Sequence, residues 1–353
     1  MKVLIVGAGP TGLTAAIELA RRGVTPTVVD QRGSTSTLSR AVGITPRSLE
    51  LLSHSGASDP LIEEGIAMDG LRVYHGQTLS LSMSLISNSA FHPNLVCLPQ
   101  DRTESILAET LSTFGTAVRY GVKLTGLVPA QNHVVAHFDG GEEQIFDHVI
   151  GADGIRSTVR EQAGIGYPGF DLAERWSVAD VDLDGWQHPG CLTVVQAGPG
   201  KVAVVVPIGP NRYRVVAVGE NALEAMPLPL KVSKIRREGA FTISVRIADT
   251  YSTGSIHLAG DAAHAHSPVG GRGMNLGIAD AAELAQRLVD NTLSGYSESR
   301  HQEALAARAI TERGRKMSTG PNLGRRIAFR GLVNAARYLP IIRRRLGRFI
   351  VEF

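Results

Sequence analysis

Cysteine is nearly missing from this chain: two residues, Cys97 and Cys191, stand among 353. That excludes a disulfide scaffold and gives no metal-ligand spacing, and a reducing cytoplasm is the expected location. Proline is sparse at 17 residues while 43% of the chain is hydrophobic, which excludes disorder and leaves enough apolar material for a core shared between two domains. Long apolar runs are missing too. The longest, such as residues 202–206, are strand-sized and far below the roughly 18 residues of a membrane span, so a soluble protein is expected. Net charge is small, 36 Lys plus Arg against 33 Asp plus Glu, and no nucleic-acid partner is expected from a formal +3. The first six residues have one basic position before an apolar stretch, but Gly7, Gly9, Pro10 and Gly12 interrupt it, so the segment reads as part of the fold instead of a signal peptide.

What is present falls into three kinds of pattern. Residues 2–6 read as a strand, 7–11 as a turn, 12–22 as a helix and 25–29 as a strand, the βαβ opening of a parallel sheet. A helix is expected at 100–111, a hairpin at 134–138 and 143–146 around Asp139-Gly140-Gly141, and a strand at 148–150. Around 70–83 and 177–218 the pattern changes to short β-rich runs broken by Gly and Pro, like a meander sheet, and 279–293 returns to helical spacing. The expected fold class is α/β: a Rossmann-like nucleotide-binding domain from residues 1–69, 101–166 and 251–300, an inserted β-rich domain from 70–100 and 167–250, and C-terminal helices at 301–353. That last segment carries 12 Lys plus Arg against 3 acids.

Three motifs carry chemistry. Gly7-Ala8-Gly9-Pro10-Thr11-Gly12 follows a strand and opens a helix, and Asp30 closes the next strand. Glycine at 7 permits the tight turn, at 9 the approach of a pyrophosphate, and at 12 close packing of helix on strand; Asp30 suits ribose hydroxyls. Strand, helix and acid in register make dinucleotide binding the better reading than a structural turn, without deciding between NAD and FAD. Asp153-Gly154, after the strand ending at Ile150, reads by itself as a turn before a surface helix. Gly260-Asp261-Ala262-Ala263-His264, running through Pro268 to Gly273-Met274-Asn275-Leu276, is a Gly-rich loop entering a helix, and its backbone N–H groups suit a phosphate or an electron-rich ring edge.

In this order and at these distances, the three motifs resemble the FAD-dependent aromatic hydroxylases typified by p-hydroxybenzoate hydroxylase, over about residues 1–300. The resemblance implies that Gly7, Gly9, Pro10, Thr11, Gly12, Asp30, Gln31 and Arg32 hold the ADP half of FAD. It also implies cofactor contacts from Arg40, Gln100, Asp153, Gly154, Gly260, Asp261, Gly273, Met274 and Asn275. The implied activity is hydroxylation of an aromatic or polyketide-like molecule through a flavin C4a-hydroperoxide, with O2 and NAD(P)H as co-substrates and the Pro268 carbonyl near the peroxide. A single dinucleotide fingerprint implies that NAD(P)H visits a transient site, for which Arg160 is a candidate. The alternatives are a flavin-dependent reductase of an unsaturated or isoprenoid lipid and a non-catalytic FAD-binding protein.

Simpler readings accompany these. His264 and His266 are expected to satisfy backbone groups instead of acting as bases. For Arg72, Tyr74, Tyr213 and Arg214, surface or core placement is expected ahead of a pocket role. The basic amphipathic tail around Arg343-Arg344-Arg345 is expected to pack on its own protein with its cations in water, ahead of membrane contact. Against the family, the stretch between Val218 and Phe241 is short, which predicts a more open pocket.

Overall fold

The computed structural model describes residues 1–36, 41–267, 270–319 and 323–351. Strand Val3–Val6 is buried at every position, as expected of a strand covered on both faces, and it runs through a turn into helix Pro10–Ala20. Proline at the start of that helix loses no hydrogen bond there and presets its backbone angle. Strand Thr27–Asp30 returns parallel to the first. The resulting sheet has the order Ser252–Thr253, Ile256–Leu258, His148–Gly151, Val3–Val6, Thr27–Asp30, Val118–Tyr120, parallel except for the first pair. Its central strand carries the first motif, the second motif leaves the adjacent strand His148–Gly151, and the third leaves Ile256–Leu258, the next strand along, all three parallel. The sheet topology therefore brings the three motifs together.

A second sheet of eight strands runs in the order His264–Ala265, Val232–Ile247, Gly169–Leu183, Arg212–Val218, Lys201–Gly209, Cys191–Gly198, Gly70–His75, Thr78–Ser84. It is no simple meander: Gly169–Leu183 lies between Arg212–Val218 and Val232–Ile247, and Cys191–Gly198 pairs parallel with Gly70–His75, which joins the two separate β-rich stretches of the sequence into one layer. The apolar run at 202–206 is explained by this sheet. Alternate residues point to opposite faces; Ala203 and Val205 pack in a core with Ala179, Val215 and Met226, while Val202, Val204 and Val206 face a groove. Both faces are apolar because neither is left to water.

Short strands Gly43–Ile44, Leu95–Cys97 and Ile66–Met68 form a small separate sheet between the two large ones. The C-terminal segment is helical: Tyr296–Thr319, Leu323–Tyr338 and Pro340–Val351. The last two turn Val333, Ala336, Leu346, Ile350 and Val351 onto Met68, Val73, Met83 and Leu85, while Arg337, Arg343, Arg344 and Arg348 stay exposed. The tail packs on its own protein.

Candidate functional site

One continuous groove of about 2020 Å3 runs between the sheets. Pockets for single drug-sized ligands hold about 300–1,000 Å3, so this one has room for an extended cofactor and a second molecule. At one end it is lined by Gly7, Gly9, Pro10, Thr11, Asp30, Gln31, Arg32, Gln100, Asp153, Gly154, Asp261, Gly273 and Met274. Those positions belong to all three motifs.

Local packing separates the glycines by what they do. A Cβ on Gly12 would sit 1.9 Å from the Gly7 carbonyl oxygen, so that glycine is required by helix-on-strand contact. Gly260 and Gly277 both lie against Thr11 Oγ1, where a Cβ would come within 2.5 and 2.3 Å, so the helix Gly273–Val289 and the opening helix meet at backbone distance. Gly9 is different: a Cβ there would meet nothing within 4 Å. Its open side is the side that lines the groove, a cradle that fits a phosphate held by backbone amides at a helix start.

Asp30 is buried, at 6% exposure, and all its acceptor sites are in use: Oδ2 takes the Ala8 amide at 2.7 Å and Arg32 Nη2 at 2.9 Å, and Oδ1 takes the Arg32 amide at 2.8 Å and Nε at 3.0 Å. Burial alone would raise its pKa, yet these hydrogen bonds outweigh it and hold the carboxyl below the usual range. A ligand hydroxyl would have to displace part of the Arg32 contact to reach this carboxylate. Arg32 has a second anchor in Glu104 at 3.1 Å, and Glu104, 1% exposed, also accepts from Gln100 Nε2 and the Ser36 amide. Gln100 in turn accepts the Ala41 amide at 3.0 Å. Glu104 was not singled out from the sequence; it is one turn past Gln100 on helix Gln100–Thr113, and that i, i+4 spacing is the signal that could have found it.

The Asp-Gly motif is no surface turn. Asp153 Oδ2 accepts the Val159 amide, Oδ1 is buried with no hydrogen-bond partner among the described residues, and burial pushes the carboxyl pKa up. An orphaned buried oxygen beside the groove fits a ligand hydroxyl. Ser157 caps the short helix that follows by accepting the Arg160 amide at 2.9 Å.

Two readings need correction, those of Arg160 and the Leu276 amide. Arg160 is 5% exposed, its guanidinium is spent on the Ala262 and Ile155 carbonyls, and it lies 3.9 Å over the Tyr167 ring; it ties the second motif to the third and offers no free cation to a nicotinamide cofactor. The Asn275 side chain is turned away from the groove, where it clamps the Thr45 amide and the Gly43 and Gly271 carbonyls, each at 2.8–2.9 Å, because a buried amide must satisfy itself; only its backbone N–H stays with the helix start. The Leu276 amide is taken by the Arg272 carbonyl, which leaves Gly273, Met274 and Asn275 to supply the first-turn N–H groups. Gly12 and Gly260 also sit behind the lining, as packing positions. Arg40 and Pro268 lie outside the described residues.

The histidines behave structurally. His264, 1% exposed, meets Asp280 at 2.6 Å, and Asp280 also holds Arg300 at 2.7 Å and the Gly260 amide at 2.9 Å, a buried network behind the Gly-rich loop. His266 lines the groove, bonded through Nδ1 to the Ser267 carbonyl, and burial pushes its pKa down to about 4.

The far end of the groove is apolar, walled by Leu71, Val73, Val194, Val204 and Val216 from the second sheet and by Phe329, Leu346 and Phe349 from the tail. Its sheet face holds one buried ion pair, Arg214 with Asp180 at 2.7 and 2.8 Å. Arg214 lines the groove, whereas Tyr213 packs in the opposite core and Arg72 and Tyr74 bond to Met83 and His188. Strand alternation from Val216 was the signal that could have singled out Arg214.

A mostly parallel nucleotide-binding sheet, three converging motifs and a second, mostly antiparallel sheet define a flavoprotein fold. The chain belongs to the FAD binding domain family, among the p-hydroxybenzoate hydroxylase-like flavoproteins, with FAD as its cofactor: the family model matches residues 1–227 and 217–308. It is 34% identical to 6-methylpretetramide 4-monooxygenase of Streptomyces rimosus over 94% of this chain and 63% of that protein. It is 30% identical to a flavin-dependent monooxygenase of Mycobacteroides abscessus over 88% of this chain and 73% of that one. The chain thus spans just under two thirds of the first of these relatives. The crystal structure of p-nitrophenol 4-monooxygenase from Pseudomonas putida superposes with a TM-score of 0.88 over 99% of this chain and 98% of that one, at 22% identity, which shows the shared fold.

Proposed function

We propose that the protein is an FAD-dependent monooxygenase that hydroxylates an aromatic or polyketide-like small molecule, using NAD(P)H and O2. The observation that carries this reading is the continuity of the groove, from the phosphate-sized opening at Gly9 to the apolar chamber under Val194 and Val204. Bound FAD supplies the two-electron chemistry that activates oxygen. The chain's own residues do the rest. Amides of Gly273 and Met274, at the positive end of a 17-residue helix, favour negative charge on a ring edge. Apolar walls orient a flat substrate by shape and, with the tail helices, keep water out.

Proton abstraction by His266 does not fit. Burial pushes its pKa down to about 4, which makes it a poor base toward a phenol near 10, and a substrate whose ring is already electron-rich suits the site. The names of the relatives, a pretetramide monooxygenase and a pentachlorophenol 4-monooxygenase of Sphingobium chlorophenolicum among them, support the substrate class. A cytoplasmic location is part of the reading, supported by Cys97 and Cys191 as free, buried thiols; among the described residues no helix is long and apolar enough to cross a membrane.

The test is a panel of phenols and polycyclic polyketides scored together for NAD(P)H loss, oxygen uptake and product mass. A product heavier by one oxygen atom, formed only in air, is expected. Turnover that persists without oxygen and saturates a double bond would make the protein a reductase, and no ligand-stimulated NAD(P)H loss would leave a carrier.

A further inference from the structure

Arg272 is placed where local stability does not explain it. It is the N-cap of helix Gly273–Val289, so its charge lies at the positive pole of that helix, and it is 3% exposed. Burial pushes its pKa down to about 10. Its guanidinium crosses to the end of the chain: Nη2 donates to the Phe349 carbonyl at 2.8 Å, and the group lies 4.8 Å from the Phe349 ring centroid. Gly270 leaves room for that path, since a Cβ there would stand 3.2 Å from Arg272 Nε. Both Arg272 and Phe349 line the groove, one beside the Gly273 and Met274 amides and the other among the apolar wall residues of helix Pro340–Val351.

We infer that Arg272 is a positioning residue that latches the cofactor-facing helix start to the C-terminal helix, so that occupancy at one end of the groove is felt at the other. The inference rests on reading the groove as the FAD site. Coupling of this kind is reciprocal: a cofactor that orders the loop must also quieten the tail, and a ligand against Phe349 must tighten the cofactor.

Hydrogen exchange by mass spectrometry tests it, on the full chain with and without FAD, with FAD uptake followed separately by flavin fluorescence. In the wild type, saturating FAD is expected to slow exchange in residues 340–351 by about fivefold or more. Arg272→Met and Phe349→Leu should still take up FAD yet lose that slowing, and Phe349→Tyr, which keeps the ring, should restore it. Slowing that is absent from the wild type, or unchanged in both variants, overturns the latch. Should Arg272→Met fail to fold, the Leu and Tyr variants of Phe349 decide the matter alone. Should the wild type take up no FAD, the cofactor reading is what fails. The FAD-free arm then judges the latch: Phe349→Leu must speed exchange in 270–276 and 340–351 together, and a change confined to one segment overturns it.

Discussion

At the scale of single residues, the groove distinguishes atoms that hold the protein from atoms left for a ligand. Gly9 and Gly12 are three residues apart in one turn, and only one of them is packed. Gly12→Ala drives a methyl into the Gly7 carbonyl, so it should destabilise the folded state by at least about 1–3 kcal/mol, read in urea melts. Gly9→Ala meets no protein atom and should leave stability within about 0.5 kcal/mol. Its effect belongs to the cofactor: FAD affinity should fall about tenfold, equivalent to roughly 1.4 kcal/mol, in a fluorescence titration. Equal effects of both changes on stability would show that the open side of Gly9 is not a ligand side. The same distinction explains Asp153, whose unpartnered oxygen no fold requirement accounts for, and Asn275, whose polar atoms the fold consumes entirely.

At the scale of elements, the two C-terminal helices are where composition and placement diverge. Their cations invite a membrane reading, yet Val333 and Ala336 are 2% and 0% exposed against the hairpin Gly70–His75/Thr78–Ser84 and the strand Leu95–Cys97. Val333→Asp would put a carboxylate into that contact without a partner and should cost roughly 3 kcal/mol or more of unfolding free energy. Ile341, 63% exposed, is the control, and Ile341→Asp should change stability by less than about 0.5 kcal/mol. Comparable losses from the two would mean that the helices do not seat as described. The seating also bears on the pocket: the short stretch between Val218 and Phe241 suggested an open chamber, and the tail supplies the missing wall.

For the whole molecule, buried histidines tie stability to pH. Burial pushes His257, 1% exposed, down to about 3 and His266 to about 4, both below the ordinary value near 6.5. As pH falls below 6.5 the unfolded chain takes up protons that the native one refuses, so this part of the stability is full above that value and is lost on the way down to about 4 for His266 and about 3 for His257. Between pH 6.5 and 5.5 the two together should cost about 2 kcal/mol, measured by urea melts at each pH. His257→Gln should remove about half of that slope, and an unaltered slope would place the titration elsewhere.

How much of this could be read beforehand depends on chain distance. The nucleotide half was legible because strand, glycine turn, helix and acid fall within residues 3–30, where spacing alone dictates geometry; the convergence of the three motifs followed from the rule that parallel strands present their ends on one side of a sheet. Arg160, by contrast, looked like a free cation because its partners, the Ala262 carbonyl and the Tyr167 ring, come from other segments. One β-rich domain from residues 70–100 and 167–250 was expected, but the parallel pairing that joins its two pieces was not, since no local pattern states which edge a strand will choose. By itself, then, the sequence determined the parallel nucleotide-binding half and the glycine turn that opens it. Only the tertiary structure decided what closes the other end of the groove, through Arg214 with Asp180 and Arg272 with Phe349. Those pairs span 34 and 77 positions, and their meeting is set by how whole layers pack, an energy summed over many contacts that no short window of residues contains.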